Sequence, residues 1–116
     1  MFDIADVIKR FSQLSGLSEP QVNSWIYICE DSISEIKSQL RDGVSEQENT
    51  EKLNSAAAAL SFYKYVLCTS IKDDLDPENQ YISNPYTKSL ASDLWQKHKD
   101  NISHLLKDNK FLFKTV

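Results

Sequence analysis

Residues 46–71 carry apolar side chains on two opposite sides of a helical wheel, and this pattern restricts the fold more than any other stretch of the chain. Leu53, Ala56, Ala57, Leu60, Tyr63, Leu67 and Ile71 fall on one side, while Ala59, Phe62 and Val66 fall almost opposite. A helix apolar on both sides has to be surrounded, because either face left in water would forfeit its burial free energy. The run Ala56-Ala57-Ala58-Ala59 suits a central position. Alanine is the strongest helix former, and its small side chain lets neighbouring helices approach closely. The same small-residue surface also admits a second subunit.

The flanking segments supply the surrounding elements. Ile4, Val7, Ile8, Phe11 and Leu14 follow helical spacing, and Gly16 offers a left-handed stop, which predicts a helix over about 3–15. Ser18-Glu19-Pro20-Gln21 combines an N-cap, a first-turn proline and a glutamine that can reach back to the cap. The helix it opens is predicted over about 19–41, with Val22, Trp25, Ile26, Cys29, Ile33, Ile36 and Leu40 inward and Asp42-Gly43 as its stop. Its outer face carries Glu30, Asp31, Glu35 and Lys37 with Tyr27 among them, so Tyr27 is expected to be partly exposed. Ser45-Glu46-Gln47-Glu48 is a second capping box and predicts that the central helix spans about 46–71.

Residues 72–85 break the period with Pro77, Pro85 and turn-forming Asp and Asn, and are expected to form a loop in which Tyr81-Ile82-Ser83 could pair briefly as a strand. Leu90, Leu94, Trp95, His98, Ile102, Leu105 and Leu106 then restore it, predicting a last helix over about 86–109 that stops near Asn109. Residues 110–116 form a short tail. The expected architecture is all-α: a four-helix, bundle-like single domain over 1–116 with a central Ala-rich helix and an extended C-terminal tail. Only two glycines and three prolines occur in 116 residues, which fits helix dominance.

Charge bounds the partners. Thirteen basic against seventeen acidic residues leave a net charge of -4, giving no general attraction to a phosphate backbone or an anionic bilayer. Lys88, Lys97, Lys99, Lys107 and Lys110 are interrupted by Asp93, Asp100 and Asp108, so the last helix lacks a continuous basic face. Neither nucleic acid nor membrane is an expected partner. Acidic residues concentrate in 1–55 and lysines in 86–116, and ends of opposite sign can attract within one chain or between copies. The acidic start Met1-Phe2-Asp3-Ile4-Ala5-Asp6 and the lack of a long apolar run predict a protein that stays in the cytoplasm. Cys29 and Cys68 lie in helical apolar patterns and are expected to be buried free thiols.

Several side-chain constellations invite a chemical reading. Asp73, Asp74, Asp76 and Glu78 resemble the start of a calcium loop, but Asn79 stands where glycine is needed and Pro85 where the bidentate glutamate belongs. His98 and His104, six residues apart on one helix, project about 120° from each other and cannot clamp one metal. His98 is expected to be a core imidazole, and an enzyme would require it to line a polar, water-accessible cavity instead. Neither cysteine is placed as an exposed nucleophile beside a histidine, and two glycines cannot build a phosphate loop. No catalytic, cofactor-binding or metal-binding residue is therefore assigned.

Apolar residues without an evident core role remain at Tyr27 and in Phe111-Leu112-Phe113, and these four are the candidate protein-interface residues. The tail triplet either docks on its own bundle as a lid or anchors a neighbour. The chain as a whole resembles small helical proteins encoded in phage and prophage structural clusters, among them head–tail connector (adaptor) proteins. The resemblance is carried by the acidic amphipathic N-terminal helix, by Trp25-x-x-x-Cys29-Glu30, by Ala59-Leu60-Ser61-Phe62-Tyr63-Lys64-Tyr65 and by Lys107-Asp108-Asn109-Lys110-Phe111-Leu112-Phe113-Lys114. It implies a helical subunit without catalytic residues or cofactor, working by self-assembly or protein partners and found in the virion. The alternative is a monomeric intracellular module that binds another protein.

Overall fold

The computed structural model of the chain describes residues 2–44, 47–75 and 85–107. Within them lie five α-helices, α1 (Ile4–Ser15), α2 (Glu19–Asn23), α3 (Ile26–Ser38), α4 (Thr50–Leu75) and α5 (Pro85–Ile102), followed by a 3-10 turn over Ser103–Leu105. The fold is all-α and bundle-like. The tail from Asp108 and the segment containing Tyr81-Ile82-Ser83 lie outside the described residues.

α4 is the hub, packing most extensively on α5 and then on α1 and α3. Leu53, Ala56, Ala57, Ala58, Ala59, Leu60 and Val66 are all buried, so the two-sided apolar pattern does mark a surrounded helix. Two buried hydroxyls on α4 are absorbed by its own backbone: Ser61 Oγ donates to Ala57 O at 2.7 Å and Thr69 Oγ1 to Tyr65 O at 2.9 Å. On α1, the Ala5 amide donates to the Asp3 carboxylate at 3.1 Å, and Gly16, at φ 71°, ends the helix with its amide on Ser12 O. A polar seam joins α1 to α4. The Asp3 amide donates to Asn54 Oδ1, Asn54 Nδ2 to the Asp6 carboxylate, and Arg10 bridges Asp6 and Ser55 Oγ. Asn54 is thereby buried with both ends of its amide bonded.

The helix predicted over 19–41 is two helices. Gln21 reaches back to the Ser18 amide as expected, at 3.0 Å. After Asn23, however, the chain tightens: the Ser24 and Trp25 amides donate three residues back, to Gln21 O and Val22 O, and Trp25 leaves the helical region at φ -115°, ψ 6°. Asn23 and Ser24 are weak helix formers, and the break frees Trp25 to pack on α4. It also shifts the inward arc of α3. Ile28 and Ser32 are buried with Cys29 and Ile36, while Ile26 and Ile33 are only half-buried.

Other boundaries move for identifiable reasons. α4 begins at Thr50 rather than near 46, since the Asn49 carbonyl accepts the first helical bond, from the Leu53 amide at 2.9 Å, and Asn is a strong helix-starting residue. Its far end continues past 71 to Leu75, so Asp73 and Asp74 are helical. Pro85 opens α5, a position its fixed φ suits. α3 stops at Ser38 and α5 at Ile102, well short of 41 and 109, because their ends are used in a clasp. Leu40 and Leu106 pair as an antiparallel bridge. The Arg41 amide donates to Leu105 O at 2.8 Å, the Lys107 amide to Gln39 O at 2.6 Å, and Arg41 Nε to Leu106 O at 2.6 Å.

Burial corrects four more expectations. Ile4 and Leu14, at the ends of the α1 stripe, are 40% and 39% exposed, and Leu90 near the start of α5 is 50% exposed. A helix crossing its neighbour at an angle touches it mainly near its middle, here through Val7 and Phe11 on α1 and Ala91 and Trp95 on α5. Cys29 is buried but Cys68 is exposed, because α4 turns that position away from both flanking layers.

Candidate protein-interaction surface

Aromatic side chains form a column that starts in the core and ends in solvent. Phe11 of α1 meets Tyr65 of α4 edge to face, ring centres 5.8 Å apart at 81°. Tyr65 meets Trp25 in the same manner at 4.9 Å and 89°. Tyr27, in the first turn of α3, then stacks on Trp25 at 6.2 Å and 23°. Exposure rises along the column: Phe11 is fully buried, Tyr65 is 7% exposed, Trp25 is half-buried and Tyr27 is 55% exposed.

The break between α2 and α3 makes the column. Residues i and i+2 of a continuous helix point about 160° apart and cannot stack. With Trp25 outside the helical region and Tyr27 inside α3, the two rings face each other. Tyr27 is therefore held by a packed platform and loses little conformational freedom on contact with a partner, the condition that makes aromatic anchors effective. Exposed Asn23 and Ser24 precede it, and Glu30 and Asp31, one turn along α3 and exposed, form an acidic rim. Tyr27 is thus found where its sequence position placed it. Trp25, expected in the core stripe, is instead half-buried beneath Tyr27, and the signal of that position was the weak helix-forming pair Asn23-Ser24 before it. Phe111, Leu112 and Phe113 lie outside the described residues.

His98 is not a core residue. It is half-buried and lines an open crevice of about 220 Å³ with Arg10, Gln13, Leu14, Ser55 and Ala58. Burial holds its pKa below the ordinary value, and Lys97 and Arg10 add to the effect. The crevice brings the imidazole to no activated nucleophile. The Ser55 hydroxyl accepts from Arg10, whose other bond is to Asp6, and neither cysteine lines the space. Burial raises the pKa of the Cys29 thiol, which keeps it protonated and unreactive. Among the described residues no three of His, Cys, Asp and Glu gather as a metal site, and no helix is long and apolar enough to cross a membrane.

No protein-family model, curated protein or solved structure matches this chain.

Proposed function

We propose that this chain is a non-enzymatic assembly subunit that works by protein–protein contact, with Tyr27 at the centre of the contact. The supporting observation is the aromatic column: a 55% exposed tyrosine stacked on a tryptophan that is itself packed on the core. Tyrosine and tryptophan are the side chains most enriched at the energetic centres of interfaces, and rigidity lowers the entropy lost there. Charge supports self-association in particular. Glu30 and Asp31 rim the anchor, and exposed Lys97 on α5 of a second copy is a cation available to meet that rim. Such a contact joins unlike faces and closes into a ring or extends as a filament. Ring assembly is how head–tail connectors of phage structural clusters operate, and the resemblance noted above supports that role, with localisation in the virion.

A second reading, a monomeric module that binds another protein, has an open crevice of about 500 Å³ between α4 and α5 to draw on, lined by Tyr63, Leu67, Lys88, Ser89, Ser92, Asp93 and Gln96, a mostly polar surface rather than the apolar groove a bound helix needs. Sedimentation from micromolar to millimolar concentration separates the two. Assembly predicts concentration-dependent mass, with Tyr27→Ala weakening association about tenfold or more while leaving the melting temperature nearly unchanged. A monomer at every concentration, indifferent to Tyr27, would overturn the assembly reading.

A further inference from the structure

We propose that the outer face of α3 pairs antiparallel with the same face of a second copy across a two-fold axis, at the groove between α3 and the start of α1. The groove, about 540 Å³, is lined by Phe2, Ile4, Glu30, Ile33, Ser34 and Lys37. Phe2 and Ile33 are half-buried, packed against the core from outside, and Ile4 is 40% exposed. Large apolar side chains are thus left partly bare between two packed helices, and a covering surface gains their remaining burial.

Charge identifies the covering surface. Glu35 of α3 is committed to Lys64 of α4 at 3.2 Å. Glu30 and Lys37 are exposed, and neither forms an ion pair among the described residues. They bracket the groove: seven residues apart, they lie on the same side of α3 about 10 Å from each other, with Ile33 and Ser34 midway. A face with a carboxylate at one end, an ammonium at the other and an apolar middle is complementary to itself only when turned end for end. Laid antiparallel about an axis between Ile33 and Ser34, two copies set each Glu30 against the other's Lys37 and bring the two Ile33 side chains together at the centre. Phe2 and Ile4 of each copy flank that centre. Laid parallel, Glu30 would face Glu30 and Lys37 would face Lys37, an arrangement that like charge disfavours. The antiparallel contact is isologous, the commonest symmetry among homo-oligomers.

Its extent sets its strength. α3 has 13 residues and is about 20 Å long, so one of its faces with the start of α1 makes a contact of the small class, below about 1,200 Å² in total, and a weak one. The contact does not rest on Tyr27. Ile33 is six residues from Tyr27 and about 120° round the helix, so the two surfaces point in different directions. Glu30 lies between them, and Asp31, on the Tyr27 side, remains for the rim of that anchor.

Sedimentation equilibrium of the full-length chain carrying Tyr27→Ala isolates this pairing. Dimers are expected as the protein approaches about 1 mM. Adding Lys37→Glu sets carboxylates against carboxylates and is expected to weaken the dimer at least about fivefold. Adding Glu30→Lys as well exchanges the two charges, restores complementarity, and is expected to return association to within about twofold of its starting value. All of these positions are exposed, and an unchanged melting temperature checks that the fold is retained. A cross-link reads the geometry separately: with Cys68→Ser, Ile33→Cys is expected to oxidise to a disulfide-linked dimer, whereas Asp31→Cys, about 160° round the helix, stays monomeric. A monomer at about 1 mM in the Tyr27→Ala chain overturns the proposal. So does a charge exchange that fails to restore what Lys37→Glu removed, or an Ile33→Cys chain that forms no dimer. Association that needs Tyr27 and ignores Lys37 would leave the assembly reading standing while this pairing falls, and the opposite result would reverse the two.

Discussion

At His98, burial and two cations act in the same direction. The folded protein binds a proton at this imidazole less readily than the unfolded chain, whose ordinary value is 6.5. Between the folded value and 6.5 the unfolded state carries more protons, so stability is complete above about 6.5 and falls as pH drops through that range. Asp6 is shifted by the opposite chemistry. Arg10 and Asn54 hold its carboxylate below the ordinary 3.8, so its contribution is present above that value and fades only in stronger acid. The two windows are separable. The urea midpoint is expected to be lower at about pH 5 than at about pH 7.5, and His98→Gln is expected to remove most of the difference. An unchanged pH dependence in His98→Gln would assign the effect to other groups.

At the scale of elements, α4 succeeds as a hub because four consecutive alanines let helices close on it from different directions. An added side chain there has nowhere to go. Ala59→Leu is expected to destabilise by about 1–3 kcal/mol and lower the melting temperature by at least about 4 °C, whereas Glu51→Leu on the exposed first turn should change it little. A neutral Ala59→Leu would show that the α4 packing is loose. This part of the fold was legible in the sequence, since two-sided periodicity and alanine content are local properties that report burial directly. So were the ends of α1, where Gly16 takes the left-handed conformation, and the exposure of Tyr27. The break at Ser24-Trp25 was less legible, because an apolar stripe spaced for one long helix masked two weak helix formers, and the packing of Trp25 on Tyr65 decided between them. The early ends of α3 and α5 left no local signal at all. Each is set by hydrogen bonds to the other, between residues 39–41 and 105–107.

For the whole molecule, that clasp decides how the layers are closed. The fold measures 49 × 31 × 17 Å, a slab about two helices thick with α4, roughly 39 Å long, running through it. α3 and α5 pack on α4, and the clasp joins their ends directly by three main-chain-accepted hydrogen bonds. It also brings Leu105 and Leu106, 7% and 1% exposed, into the core cluster. Losing a buried leucine side chain costs about 2–5 kcal/mol, and two such losses approach the 5–15 kcal/mol total stability of a small domain. A chain ending at Ile102 lacks both leucines and all three bonds. It is expected to lose cooperative thermal unfolding, while a chain ending at Lys107 keeps it, as monitored by helical circular dichroism. Closely similar melting of the two chains would make the clasp peripheral and leave α4 alone as the organiser of the bundle.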